Sequence, residues 1–195
     1  MKMVFDTRDF LEKAWEVVEK VRIDGARDNR FRGAMLYSAL NICDAMQLLI
    51  QKRNFVSANI LFRALFEYVF RAYWLNRQAT SDQIALAIEE DDWPRTKFLH
   101  ESIEGHSSEI DALVAEKLKV QDILHSYIHG GSQNPLGQFG SMGHIEPNIA
   151  DSEVAYLLHV VQLSTYIIVA EMIYLSDSTE LEADVAQMVE DLING

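Results

Sequence analysis

The chain has 195 residues, of which 49% are hydrophobic and only three are proline; this length suits one domain with a real core, and the composition favours a folded, helical chain. The formal charge of −13 is unevenly spread: positions 120 to 195 hold eleven Asp and Glu and no Lys or Arg, whereas positions 1 to 119 hold all seventeen basic residues and nineteen acidic ones. A grip on long nucleic acid needs several phosphate-neutralising cations, so residues 120 to 195 are excluded as its source.

The periodicity is helical almost throughout. Helix one is expected over about Thr7 to Ile23, where Leu11, Ala14, Trp15, Val18 and Val21 make one apolar face. Helix two is expected over Asn29 to Lys52 and helix three over Val56 to Gln78, and the short "KRNFVS" between them makes the pair an antiparallel hairpin. The Arg cluster before helix two (Arg22, Arg27, Arg30, Arg32) is interrupted by Asp24 and Asp28 and reads as a solvated junction. Thr80 and Gln83 have capping-box spacing and open a short helix to Glu90. Pro94 suits a first helical position, opening another to Ile103, which Gly105 stops. Ser107 or Ser108 caps a helix ending at His129, where "HGG" supplies the C-terminal glycine. Asp151 caps a long helix to Leu175, and Thr179 with Glu182 has capping-box spacing before a terminal helix.

The fold expected is all-α: one domain, residues 1–195, built as an up-down bundle of four or five long helices with short inserted helices. Its exception is a Gly/Pro-rich loop over 130–150, whose stretch "GGSQNPLGQFGSMGHIEPN" holds five of the nine glycines; such long loops are functional or disordered. Val154 to Leu175 is long enough for a membrane span, yet it carries His159, Gln162, Ser164, Thr165 and Glu171, so a buried core helix and no membrane partner are expected. The N-terminus meets charge before any apolar run forms, so no signal peptide is read there. The lone Cys43 sits among apolar residues as a buried, inert thiol. Together these point to the cytoplasm.

Two constellations could carry chemistry. In "FRALFEYVFRAYWL", Phe62 to Leu75, eleven of fourteen residues are apolar or aromatic, and the other three are Arg63, Glu67 and Arg71, four apart. Steps of four drift slowly around a helix, so these three form one seam, extended by Asn59. The seam is either the helix's one solvent-exposed strip, tied by i,i+4 ion pairs, or the wall of a cleft. Arginine at both ends fits recognition of phosphate or carboxylate by the guanidinium fork.

The second constellation is "HSYIHGG", where His125 and His129 share a face at the last turn of their helix. They could be a metal pair, acid/base residues, or a structural C-terminal cap. The glutamate of HExxH and a Cys-rich partner motif are both missing, and no metal or cofactor is expected. "RTKFLH", Arg95 to His100, is an Arg-x4-His string of the kind chance supplies about once in this composition. His159 and Gln162, one turn apart, are expected to satisfy each other or a buried neighbour. No Walker loop, GxGxxG, CxxC pair or GxSxG elbow is present.

The series "LFRALFEYVFRAYWLN", "DDWPRTKFLHESIE", "LHSYIHGG" and "GHIEPN", spread over Ser57 to Leu175, resembles an uncharacterised bacterial family placed in or beside the HEPN superfamily of helical bundles. The resemblance implies a HEPN-like bundle that dimerises. For active members it implies metal-independent RNA cleavage, or nucleotide handling, in toxin–antitoxin and defence systems. The superfamily's signature is Arg, a polar residue, a few more residues, then His near the end of a core helix. His129 matches the histidine and His125 the polar position, while Leu124 stands where the arginine would be. Arg95 and His100 satisfy the string on another helix.

Two functions stay open. In one, the protein is a metal-independent RNase-like or nucleotide-directed enzyme: His129 is the acid/base, His125 the second proton-transfer group, Arg63 and Arg71 stabilise the phosphate, and Glu67 holds them in place. In the other it is a non-catalytic interaction module or degenerate HEPN relative, its acidic half facing an antitoxin, another basic partner or a second copy in a homodimer.

Overall fold

In a computed structural model, which describes residues 2–129, 131–140, 144–176 and 178–194, the chain is all-helical, with a single bridge pair, Phe139 and Ile145, in place of any strand among the described residues. The elements are α1 (Lys2–Val18), α2 (Arg27–Gln51), α3 (Phe55–Arg77), α4 (Ser81–Glu89), α5 (Thr96–Ile103), α6 (Ser108–Ile128), α7 (Gln133–Leu136), α8 (Asp151–Ser176), a 3₁₀ turn (Thr179–Leu181) and α9 (Glu182–Asn194).

Local chemistry sets many of the boundaries. Asn54 caps α3 by accepting the N–H of Ser57, and Arg53 before it takes a left-handed φ of 59° to reverse the chain out of α2. With only three residues between them, α2 and α3 pack along each other as a hairpin. The capping box of Thr80 and Gln83 is present in both directions. Ser107, not Ser108, caps α6 through the N–H of Ile110. Gly105 stops the chain after α5 at φ +82°, a conformation that strains any residue with a Cβ.

Four boundaries differ from expectation, the simplest at α8, where Asp151 is the first helical residue and the Ala150 carbonyl before it accepts the N–H of Val154. Helix α1 starts and ends five residues early. Thr7 lies inside it, fully buried, with its hydroxyl donating to the Met3 carbonyl. Beyond Val18 the backbone tightens into turns, where Lys20 reaches Asp184 at 2.7 Å and Arg22 donates to the carbonyls of Glu19 and Val21. Pro94 stands before α5 rather than in its first turn. Asp91 is left-handed and accepts the Trp93 indole N–H at 2.7 Å, and the chain remains extended through Arg95, the N-cap. The 130–150 stretch contains α7 and a tied turn, in which Asn148 donates to the Phe139 carbonyl at 2.7 Å and Gly140 to that of His144 at 3.0 Å. Gly130, expected to end α6, and the side chain of Thr179 lie outside the described residues.

Helices α3 and α8 hold the core together. Helix α8 packs on α1, α2, α3, α6 and α9, and α3 packs on α2, α5, α6 and α8. Phe62, Phe66 and Phe70 of α3 are almost fully buried, and so are Val160, Val161 and Ile168 of α8. By length and composition, α2 and α8 could each cross a bilayer, but α8 has 67% of its most apolar window buried inside the fold. Its polar groups are mostly satisfied there: Gln162 donates to Thr7 Oγ1 at 2.8 Å, Thr165 to the Val161 carbonyl, and Glu171 is clasped by Arg77. His159 is exposed, so Gln162 is satisfied by a buried neighbour, Thr7, and not by His159.

Candidate functional site

The oily circumference of α3 is buried on most sides, and α5 and α6 lie across the side that carries its charges. A cavity of about 190 Å³ opens there. It is lined by Arg63, Phe66, Glu67 and Phe70 of α3, by Thr96, Leu99 and His100 of α5, and by Lys117 and His125 of α6. The two alternatives for the seam therefore meet in one strip: Arg63 stays exposed while Glu67 is half-buried, and both face into the cleft.

Of the five residues singled out from sequence, Arg63, Glu67 and His125 are brought together. His129 is not a wall of the cavity. It forms the C-cap of α6, donates its backbone N–H to the His125 carbonyl, and lays its ring against that of His125 with centroids 4.4 Å apart. Arg71 is drawn aside. Its guanidinium sits 4.7 Å from the centre of the Trp93 ring, which itself stacks on Phe31, and it lies 3.8 Å from Glu67.

His100 and Lys117 complete the site, and neither was picked out as a site residue from the sequence. His100 also belongs to the Arg-x4-His string, whose other member, Arg95, does not line the cavity. Lys117 lies two four-residue steps before His125 on α6, a spacing that would have flagged it had the histidine been taken as an anchor.

The charges of the cavity act on one another. Burial pushes the Lys117 ammonium below the usual lysine range, Glu67 opposes the shift, and Arg63 adds to it. Burial also lowers His100, Lys117 lowers it further, and Glu67 works the other way. Both of the larger causes favour the neutral imidazole of His100. Its Nε2 is buried with no hydrogen-bond partner, and its ring stands edge-on to Phe70 at 5.1 Å. An orphaned imidazole nitrogen beside an ammonium and a guanidinium is a set that can hold an oxyanion and exchange a proton with it. Among the described residues, no group of three His, Cys, Asp or Glu is placed to hold a metal ion.

Two larger recesses are mostly apolar. One, of about 530 Å³, lies between α1 and α2 around Trp15 and Tyr37; the other, of about 510 Å³, lies between α8 and α9 around Tyr174 and Val185. Neither collects ionisable groups as the α3–α5–α6 cavity does.

Fold and site together define an all-helical protein with a small, cation-rich cleft against a buried aromatic helix. The chain belongs to the family of unknown function DUF6988, which it matches over residues 37–193. The matched stretch includes all of α3, α5 and α6, and so every residue that lines the cavity. No curated protein and no solved structure matches the chain.

Proposed function

We propose that this is a HEPN-like bacterial protein of toxin or defence type, a metal-independent RNase or nucleotide-directed enzyme of the cytoplasm, and that the α3–α5–α6 cavity is its site. One observation carries the reading: Arg63 and Glu67 of α3 line the same small cavity as His125 of α6. The acid/base chemistry is that of a paired imidazole site. One imidazole takes the proton of a 2′-hydroxyl as its oxygen bonds to phosphorus. The bond from phosphorus to the 5′-oxygen breaks, and that oxygen takes a proton from a second imidazole. Arg63 neutralises the charge that builds on the phosphate oxygens, where a fixed donor is worth most. His125, which lines the cavity, is one imidazole of this scheme, and His129, ring against ring with it, is the second. The packing of α1 on both α8 and α9 supports reading residues 1–195 as one domain.

The test is incubation with mixed RNA in EDTA beside His125→Ala and His129→Ala. Cleavage by the parent and its loss in either variant is the expected result; absence of cleavage by the parent overturns the RNase reading. A second reading, a non-catalytic interaction module that dimerises or binds a basic protein such as an antitoxin, is favoured by the charge segregation, since eleven acids without a base beyond position 119 repel RNA at long range. A stable dimer by light scattering, joined to inactivity on RNA, is what that reading expects.

A further inference from the structure

We propose that the cavity takes a terminal phosphate group end-on, held by Lys117, Arg63 and the buried Nε2 of His100. The inference rests on the reading above only in taking this cavity as the ligand site. It adds two binding residues and takes the nucleotide-directed arm of that reading: the end of a phosphorylated small molecule, rather than the internal phosphodiester of the RNase arm, is what enters.

Size is the first argument. Pockets that engulf a drug-sized ligand run to about 300–1,000 Å³. At about 190 Å³ the space admits an oxyanion and the few atoms next to it. A polymer threaded past the site would leave its flanking nucleotides on the surface of an acidic protein, formal charge −13, against their own charge. A chain end or a free phosphate monoester avoids that repulsion.

The donors are the second argument. Arg63 and Lys117 stand against a single carboxylate on the lining, Glu67. Lys117 has no salt-bridge partner within the cavity wall, and Arg63 disfavours its charge, so an anion between the two relieves a repulsion that already exists. His100 lines the cavity and its Nε2 is buried with no hydrogen-bond partner, so an oxyanion seated against its ring would supply the partner it lacks. Phe66 and Phe70 exclude water from the inner wall, which strengthens each of these contacts.

The experiment is calorimetric titration of the full chain with inorganic phosphate, 5′-AMP, adenosine and a short single-stranded RNA bearing hydroxyl groups at both ends. Phosphate and 5′-AMP are expected to bind, and adenosine and the hydroxyl-ended RNA at least about tenfold more weakly. Lys117→Met and His100→Gln should each weaken phosphate by about tenfold or more, the loss expected for a charge-assisted hydrogen bond. A readout that needs no variant to fold is the His100 ring resonance of the parent protein, which should titrate at higher pH with phosphate present than without. Equal binding of adenosine and 5′-AMP overturns the inference, and so does a His100 titration that phosphate leaves unmoved. Phosphate binding without RNA cleavage leaves this inference standing and removes the RNase reading. Cleavage of hydroxyl-ended RNA without phosphate binding does the reverse.

Discussion

Arg77 holds Glu171 by both carboxylate oxygens: Nη2 lies 2.9 Å from Oε1, and Nε lies 3.1 Å from Oε1 and 3.0 Å from Oε2. The carboxylate is buried in α8, and Asn76 donates to it at 3.2 Å. The guanidinium also stacks on the Tyr174 ring at 3.3 Å. This pair bolts the end of α3 to α8, the two helices that carry the core. Removing the cation leaves a buried charge with one neutral donor, so Arg77→Ala should destabilise the fold by about 3 kcal/mol. The Arg77→Met, Glu171→Leu double variant, which removes both charges at similar volume, should recover more than roughly half of that loss. Urea unfolding midpoints at constant slope decide the matter; a loss equal to that of an exposed ion pair would refute it.

What could be read from the sequence depended on how local its cause was. The capping box at Thr80, the stop at Gly105 and the hairpin of α2 and α3 come from a few neighbouring residues, and all were legible. The early end of α1 was not, because Lys20 is tied to Asp184, 164 residues away. The site divides in the same way. Arg63 and Glu67 announced themselves as charges on a single oily helix. His100 and Lys117 become site residues only when α5 and α6 are laid over α3, and nothing in their own neighbourhoods records that packing. Arg77 escaped notice because its partner lies on another helix, whereas Arg71 had an i,i+4 partner in plain view.

Cys43 is fully buried, and burial pushes its thiol up to about 12 from an ordinary 9.0. The native thiol should therefore be inert to a thiol-specific reagent at pH 8 and react at the rate of unfolding. Because the unfolded thiol ionises first, the proton is held by the native state alone between those two values. Stability should fall as pH rises through that window, at up to about 1.4 kcal/mol per pH unit from this group. Cys43→Ala should show a shallower alkaline loss in urea titrations at pH 9 and pH 10.5. Identical slopes would mean the thiol is not the cause.

His100 imposes the opposite dependence. It is faced by Glu67 and Arg63 of α3 and by Lys117 and His125 of α6, and burial and Lys117 together lower it below its usual 6.5. A depressed imidazole contributes stability that is present above pH 6.5 and is lost as pH falls through the native value, because the unfolded chain takes up the proton first. His100→Gln should abolish part of the acid destabilisation below pH 6.5 and leave the alkaline side unchanged. Thermal melts from pH 7.5 to pH 5 make the comparison, and parallel curves for the two proteins would count against the assignment.

Arg71 and Arg63 lie on one seam, yet they should behave differently. Arg71 is engaged: its guanidinium covers Trp93 at 4.7 Å, Trp93 stacks on Phe31 of α2, and the indole N–H is tied to Asp91. It thus fastens the link between α4 and α5 to the hairpin. Arg63 is exposed at the mouth of the cavity. Arg71→Met should therefore cost about 1 kcal/mol of stability through the lost cation–π contact and leave phosphate affinity within about twofold. Arg63→Gln should do the reverse, leaving the melting temperature unchanged and weakening phosphate by about tenfold. Trp93 supplies an internal reporter, since Arg71→Met changes the charge beside its indole and should shift its fluorescence, whereas Arg63→Gln should not. If the two substitutions weaken phosphate equally, the seam acts as one unit, and the division of labour between a fastening arginine and a binding one is wrong.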